Sequence, residues 1–118
     1  MVARSMSVLL GLLGVCLVPL ANAQMVGVDL ARAKNCLSCH QVDKKVVGPA
    51  MTVIAERFAG GQEGARNYLA QAIRNGGRGR WGPVPMPAQP QVNEAEAQLL
   101  AAWILSLAET GPETQTKE

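Results

Sequence analysis

The run Cys36-Leu37-Ser38-Cys39-His40 constrains this chain more than any other stretch. Two thiols three residues apart lie within about one helical turn, so both reach the same edge of a flat ligand. The histidine that follows is held beneath that ligand's centre. This is the C-x-x-C-H pattern of covalent haem attachment. The two thiols add to the porphyrin's vinyl groups as thioethers, and the histidine ligates the iron. A haem held in this way stays bound in both redox states. A chain so built folds around its cofactor, and short helices suffice to wrap it.

Two other chemistries use such a cysteine pair. A redox-active dithiol opens a helix within a βαβ pattern, and the sequence has no such strands. A structural zinc needs four ligands, most often from a second Cys or His pair. His40 is the only histidine, and the third cysteine, Cys16, lies in an apolar leader. Composition sides with haem. At 118 residues the chain predicts one small domain, which buries little surface and gains most from a built-in staple. Aromatic residues are only 3% of it, so a cofactor-filled core is expected. A formal charge of +2 without a long basic run points away from nucleic acid. No Ser-His-Asp set, phosphate loop or paired carboxylates stand out. Asp43, Glu56 and Glu63 read as solvated charges.

Residues 1–23 read as a cleaved secretory signal peptide. Arg4 supplies the positive start, Val8 to Val18 the apolar run, Pro19 its end and Ala21-Asn22-Ala23 a small-x-small cleavage site. The apolar run is shorter than the roughly 20 residues that span a bilayer. Cleavage leaves a domain over 24–110 and a disordered tail over 111–118. It removes Cys16 and delivers the protein to the periplasm without stable membrane insertion.

Within the domain, hydrophobic spacing predicts four helices. The first spans Val26 to Asn35 with Val26, Leu30 and Ala33 on one face, and runs straight into the haem motif. The second, Ala50 to Ala59, turns Met51, Ile54, Ala55 and Phe58 inward and ends at Gly60-Gly61. The third, about Gly64 to Asn75, carries Tyr68, Leu69, Ala72 and Ile73 and stops at Gly76-Gly77. The last opens at Asn93, with Glu96 three residues on as in a capping box. Its stripe of Leu99, Leu100, Trp103, Ile104 and Leu107 is expected to pack on the first helix and the haem edge. Between the first two helices, Gly48-Pro49 marks a turn whose carbonyls can accept a hydrogen bond from the far ring nitrogen of His40.

Between the third and fourth lies Trp81-Gly82-Pro83-Val84-Pro85-Met86-Pro87-Ala88-Gln89-Pro90. Four prolines forbid a helix and stiffen an extended loop. Such a loop can fix the Met86 sulfur over a haem face as sixth iron ligand. The other methionines of the domain fit less well. Met51 sits in a helix stripe close to the motif, and Met25 lies at the frayed mature start.

With these motifs assembled, residues 26–108 resemble small bacterial class I cytochromes c, of the monohaem c-551 type. The resemblance rests on C-L-S-C-H, V-V-G-P-A (46–50), R-F-A-G (57–60), I-R-N-G (73–76), W-G-P-V-P-M-P (81–87) and E-A-Q-L-L-A-A-W-I-L (96–105). It implies an all-α fold of about four helices around one covalent haem c, the first and last helices crossing. It further implies Cys36 and Cys39 as thioether carriers, His40 and Met86 as axial ligands, Pro49 as carbonyl partner of His40, and Trp81 as donor to a haem propionate. One departure is Ala72, which stands where the family often has a basic residue paired with a propionate. Arg74, Arg78 and Arg80 are the candidates to replace it.

The function so implied is electron transfer, not enzymatic turnover. The protein is expected to be a monomeric periplasmic one-electron carrier between redox proteins such as nitrite reductase, cytochrome oxidase or a bc1-type complex. Methionine ligation favours the ferrous state, and His plus Met leave no open site on iron. The expected haem edge is ringed by Leu37, Val46, Val47, Pro83, Val84 and Pro87, with Lys44, Lys45, Arg78 and Arg80 to steer an acidic partner. Two alternatives stand beside it: a fixed electron-transfer subunit of a larger complex, and a haem sensor or peroxidase, should Met86 not ligate.

Overall fold

The computed structural model describes residues 23–110. The leader expected over 1–23 falls almost wholly outside the described residues, as does the tail expected over 111–118. Helix α1 spans Gly27–Ala33, a 3-10 turn follows at Cys36–Ser38, and α2 (Met51–Phe58), α3 (Gln62–Asn75) and α4 (Glu94–Ser106) complete the fold. Among the described residues there is no β-strand, only two isolated bridges, His40 with Lys45 and Gly77 with Met86. This is an all-α architecture of four short helices, as the resemblance implies.

Helix α1 does not run into the haem motif as its spacing suggested. Asn35 takes a left-handed conformation at φ 69°, the one described non-glycine residue with positive φ. Asparagine tolerates this region better than most residues. It breaks α1 after Lys34 and restarts the chain as the 3-10 turn that carries Cys36. The buried face of α1 is Leu30 and Ala31, not Val26, Leu30 and Ala33; Val26 is 53% exposed.

Helix α4 is the centre of the packing. It opens with a full capping box: Glu96 N–H donates to the Asn93 side chain (2.9 Å), and Asn93 N–H donates to the Glu96 carboxylate (3.0 Å). Its buried residues are Ala97, Leu100, Ala101 and Ile104, while Leu99, Trp103 and Leu107 are only partly buried. Against expectation its main partner is α3, with α2 and α1 contributing less. The large apolar residues mark the stripe, but the deepest sites are alanines. Ala31, Ala97 and Ala101 are fully buried, because small side chains let helices approach closely. Gly27, at φ 61°, opens α1 against the Trp103 indole.

Helix α2 buries Met51, Ile54 and Ala55, with Phe58 half-buried at its end. Helix α3 buries Ala65, Leu69, Ala70 and Ile73; Tyr68, expected on that face, is 41% exposed, its ring centroid 5.2 Å from that of Phe58 with the planes tilted by 36°.

Candidate haem-binding site

The first wall of the site is built by the chain folding back after the 3-10 turn. His40 N–H donates to the Cys36 carbonyl (3.0 Å), and the Cys39 carbonyl accepts from both Val47 and Gly48 (3.2 and 2.8 Å). Residues 40–48 thus close on themselves and deliver Pro49 beneath the His40 ring. Nδ1 of His40 lies 2.8 Å from the Pro49 carbonyl oxygen. A carbonyl only accepts, so in the neutral ring Nδ1 carries the proton and Nε2 keeps its lone pair. Gly48 makes room for the ring, since a Cβ there would stand 2.5 Å from His40 Cε1.

The second wall is the proline-rich loop, locked by its backbone. Gly76 caps α3 at φ 69° and donates to the Ala72 carbonyl. A Cβ on Gly76 would run into the Met86 carbonyl. Gly77 and Met86 exchange both N–H···O=C bonds, each 2.9 Å, so Met86 is pinned to the end of α3. The loop's far end is tied to α1: Lys34 Nζ donates to the Gln91 carbonyl (3.1 Å), and Gln91 Nε2 donates to the Lys34 carbonyl (3.0 Å). Lys34 also pairs with Glu96 at 2.9 Å. The Lys34 ammonium, then the Asn93 N–H, hold the Glu96 carboxyl below its ordinary pKa.

Between the walls lies a cavity of about 400 Å³, within the range of ligand and cofactor pockets. Cys36, Cys39, His40, Pro49, Trp81 and Met86 all line it. Ile54, Leu69, Ile73, Leu100 and Ile104 make its floor apolar. Neither cysteine is tied up in a disulfide, and burial pushes the Cys36 thiol up. Two charged side chains, Lys45 and Arg80, line the cavity, and no Asp or Glu does. Paired thiols, an imidazole, a thioether and apolar walls match the vinyl groups, the iron and the apolar faces that a haem presents. Among the described residues no group of three or more His, Cys, Asp or Glu side chains is arranged to hold a bare metal ion.

The remaining candidates divide. Met51 lines the cavity from the first turn of α2 but is 4% exposed and packed in the core. Met25 is half-exposed and does not line it. Val46, Val47 and Val84 stand about half-exposed at 51, 50 and 59%. Sequence reasoning missed Arg57. Its guanidinium stacks 3.5 Å from the Trp81 ring centroid, and Nη1 donates to the Arg80 carbonyl (2.9 Å). That contact spans 23 residues, so no local pattern signals it. Lys34 was missed for the same reason.

Comparison with known proteins agrees with the geometry. The family whose model matches is cytochrome c, over residues 25–108. Cytochrome c-551 of Stutzerimonas stutzeri is 52% identical over 81 residues, 69% of this chain and 76% of that protein. Cytochrome c-552 of Hydrogenobacter thermophilus is 46% identical over 93 residues, 79% of this chain and 93% of that protein. The crystal structure of wild-type Nitrosomonas europaea cytochrome c552 superposes with a TM-score of 0.65 at 49% identity, over 68% of this chain and 98% of that one. The chain belongs to the cytochrome c family, as a small class I monohaem protein of the c-551 type that carries one covalently attached haem c and transfers electrons.

Proposed function

We propose that the protein is a periplasmic one-electron carrier whose haem is tied through thioethers to Cys36 and Cys39 and whose iron is ligated by His40 and Met86. The observation that carries this reading is convergence: both thiols, the free Nε2 of His40 and the pinned Met86 line one apolar cavity. The bound haem supplies an iron that gains and loses single electrons. Everything else is the work of the chain. The Pro49 carbonyl fixes the His40 ring and raises its basicity, and Gly48 leaves that ring no obstruction. The Gly77–Met86 bridge holds the thioether on a stiff support, so it is not readily displaced. The apolar floor excludes water and disfavours added positive charge on the oxidised centre. An iron held by both His40 and Met86 would leave no place for a substrate, which favours a carrier over a catalyst.

Trp81, held under the Arg57 guanidinium, is the proposed donor to a haem carboxylate. Val46, Val47 and Val84 give the rim an apolar contact surface, and exposed Lys44 and Lys45 beside it favour acidic redox partners. Donors and acceptors of the kind expected are nitrite reductase, cytochrome oxidase or a bc1-type complex, met by a monomer. Periplasmic location follows from the leader read over 1–23. No described helix is long and apolar enough to cross a membrane. Intact mass of protein from a haem-attaching periplasm tests this. The expected product begins at Gln24 and keeps one haem after denaturation. A chain that retains residues 1–23, or whose haem extracts into acidified solvent, would contradict it.

A further inference from the structure

Ala72 lines the cavity at the position where, by the resemblance, a basic residue often pairs with a haem carboxylate. We infer that Arg80 fills this role, as the positioning residue that pairs with a carboxylate of the bound haem. This rests on the haem and ligand reading above. Of the two charged side chains that line the cavity, Lys45 belongs to the His40 loop and faces His40 across a backbone bridge. Arg80 belongs to the other side. Its guanidinium lies 5.2 Å from the Tyr68 ring centroid and directly over Gly77, where a Cβ would stand 2.8 Å from Cζ. Its own carbonyl is latched by Arg57, which also covers the neighbouring Trp81. The guanidinium is thus held in place by an aromatic ring, a glycine and a backbone latch. Among the described residues it nevertheless forms no ion pair.

The other arginines fit less well. Arg74 reaches Glu94 at 4.0 Å and does not line the cavity. Arg78 lies outside it, over a shallow depression behind Met86. The direction also fits. A haem carries its two vinyl groups on one side of the ring and its two carboxylates on the other. Cys36 opens the 3-10 turn and Cys39 caps its end; that turn packs chiefly on α1, whereas Arg80, Tyr68 and Arg57 cluster around α3 and the end of α2. A haem tied at the cysteines turns its carboxylates toward this second cluster. Arg80 and the Trp81 indole then share them, cation and neutral donor.

The test is the reduction potential of the holoprotein as a function of pH, with the oxidised optical spectrum of each sample recorded alongside. In Arg80→Gln the carboxylate loses its counter-charge and stabilises oxidised iron. The potential at neutral pH drops, and the acid-side rise in potential moves up by about one pH unit. Arg80→Lys restores most of both, and Arg78→Gln matches the parent. Gly77→Ala keeps the charge but displaces the guanidinium, so it shifts the profile in the same direction as Arg80→Gln. A profile for Arg80→Gln that superposes on the parent, or an equal shift in Arg78→Gln, would overturn the assignment while leaving the ligand reading intact. Absence of the far-red methionine–iron band from the parent itself would overturn the ligand reading and this inference with it.

Discussion

The helical side of the molecule and the loop side are held by different forces. On the helical side α1, α3 and α4 meet through fully buried alanines and Leu100, 2% exposed. Packing there is dry, and it depends on side-chain volume. On the loop side the two walls of the cavity, residues 36–50 and 76–92, touch the core through few side chains. They are shaped instead by backbone hydrogen bonds, glycines and prolines. Side-chain packing tolerates repacking and fixes stability. Backbone bonding fixes where particular atoms stand. The difference teaches that scaffold and chemistry are separable here: helix substitutions should change stability and spare the spectrum, and loop substitutions should do the reverse.

The largest break is removal of the tie between the two sides. A Cys36→Ala, Cys39→Ala double variant should yield no stable holoprotein, because the cavity floor then loses the group that fills it; haem stain on a denaturing gel checks this. Next in size, Leu30→Ala, in α1 and outside the cavity lining, should lower unfolding free energy by about 2–5 kcal/mol while leaving the oxidised spectrum unchanged, measured by denaturant titration. On the loop side, Gly48→Ala should do the opposite. It forces the His40 ring to shift, so the spectrum and the potential move by more than the stability does. Smaller still, Asn93→Ala should cost about 1 kcal/mol by removing the cap of α4.

The smallest effect is in acid. The Glu96 carboxyl is held below its ordinary value of 4.5 by Lys34, then by the Asn93 N–H. Its folded pKa lies below its unfolded one, so its contribution is complete above the unfolded value and is lost as pH falls through the folded one. Lys34→Met should therefore flatten the acid limb of the stability curve below about pH 4.5, with no change near neutrality in the optical spectrum.

The same division governs what could be read from the sequence. C-L-S-C-H, Gly48-Pro49 and the proline loop around Met86 are local patterns, and all of them line one cavity. The capping box of α4 and the inner face of α2 are equally local, and both form as their spacing suggests. Hidden from sequence was whatever depends on a distant neighbour. Ala97 and Ala101 are the deepest residues of α4, yet a hydrophobic stripe is scored by large side chains. Tyr68 is apolar by type but lies out at the rim beside Arg80. The break at Asn35 interrupts a pattern that otherwise continues helically. The Arg57–Trp81 stack and the Lys34–Glu96 pair join segments far apart in the chain, and nothing in either segment announces the other.

The central claim is that His40 and Met86 close both faces of the iron. It is tested most directly by the optical spectrum of the holoprotein, taken oxidised, then reduced, then with carbon monoxide. The account predicts a c-type spectrum, a weak far-red methionine–iron band in the oxidised form, and no response to carbon monoxide. The Met86→Ala variant should lose that band and gain a carbon monoxide shift. A parent protein that lacks the band and binds carbon monoxide would have an open iron site, and would contradict the carrier.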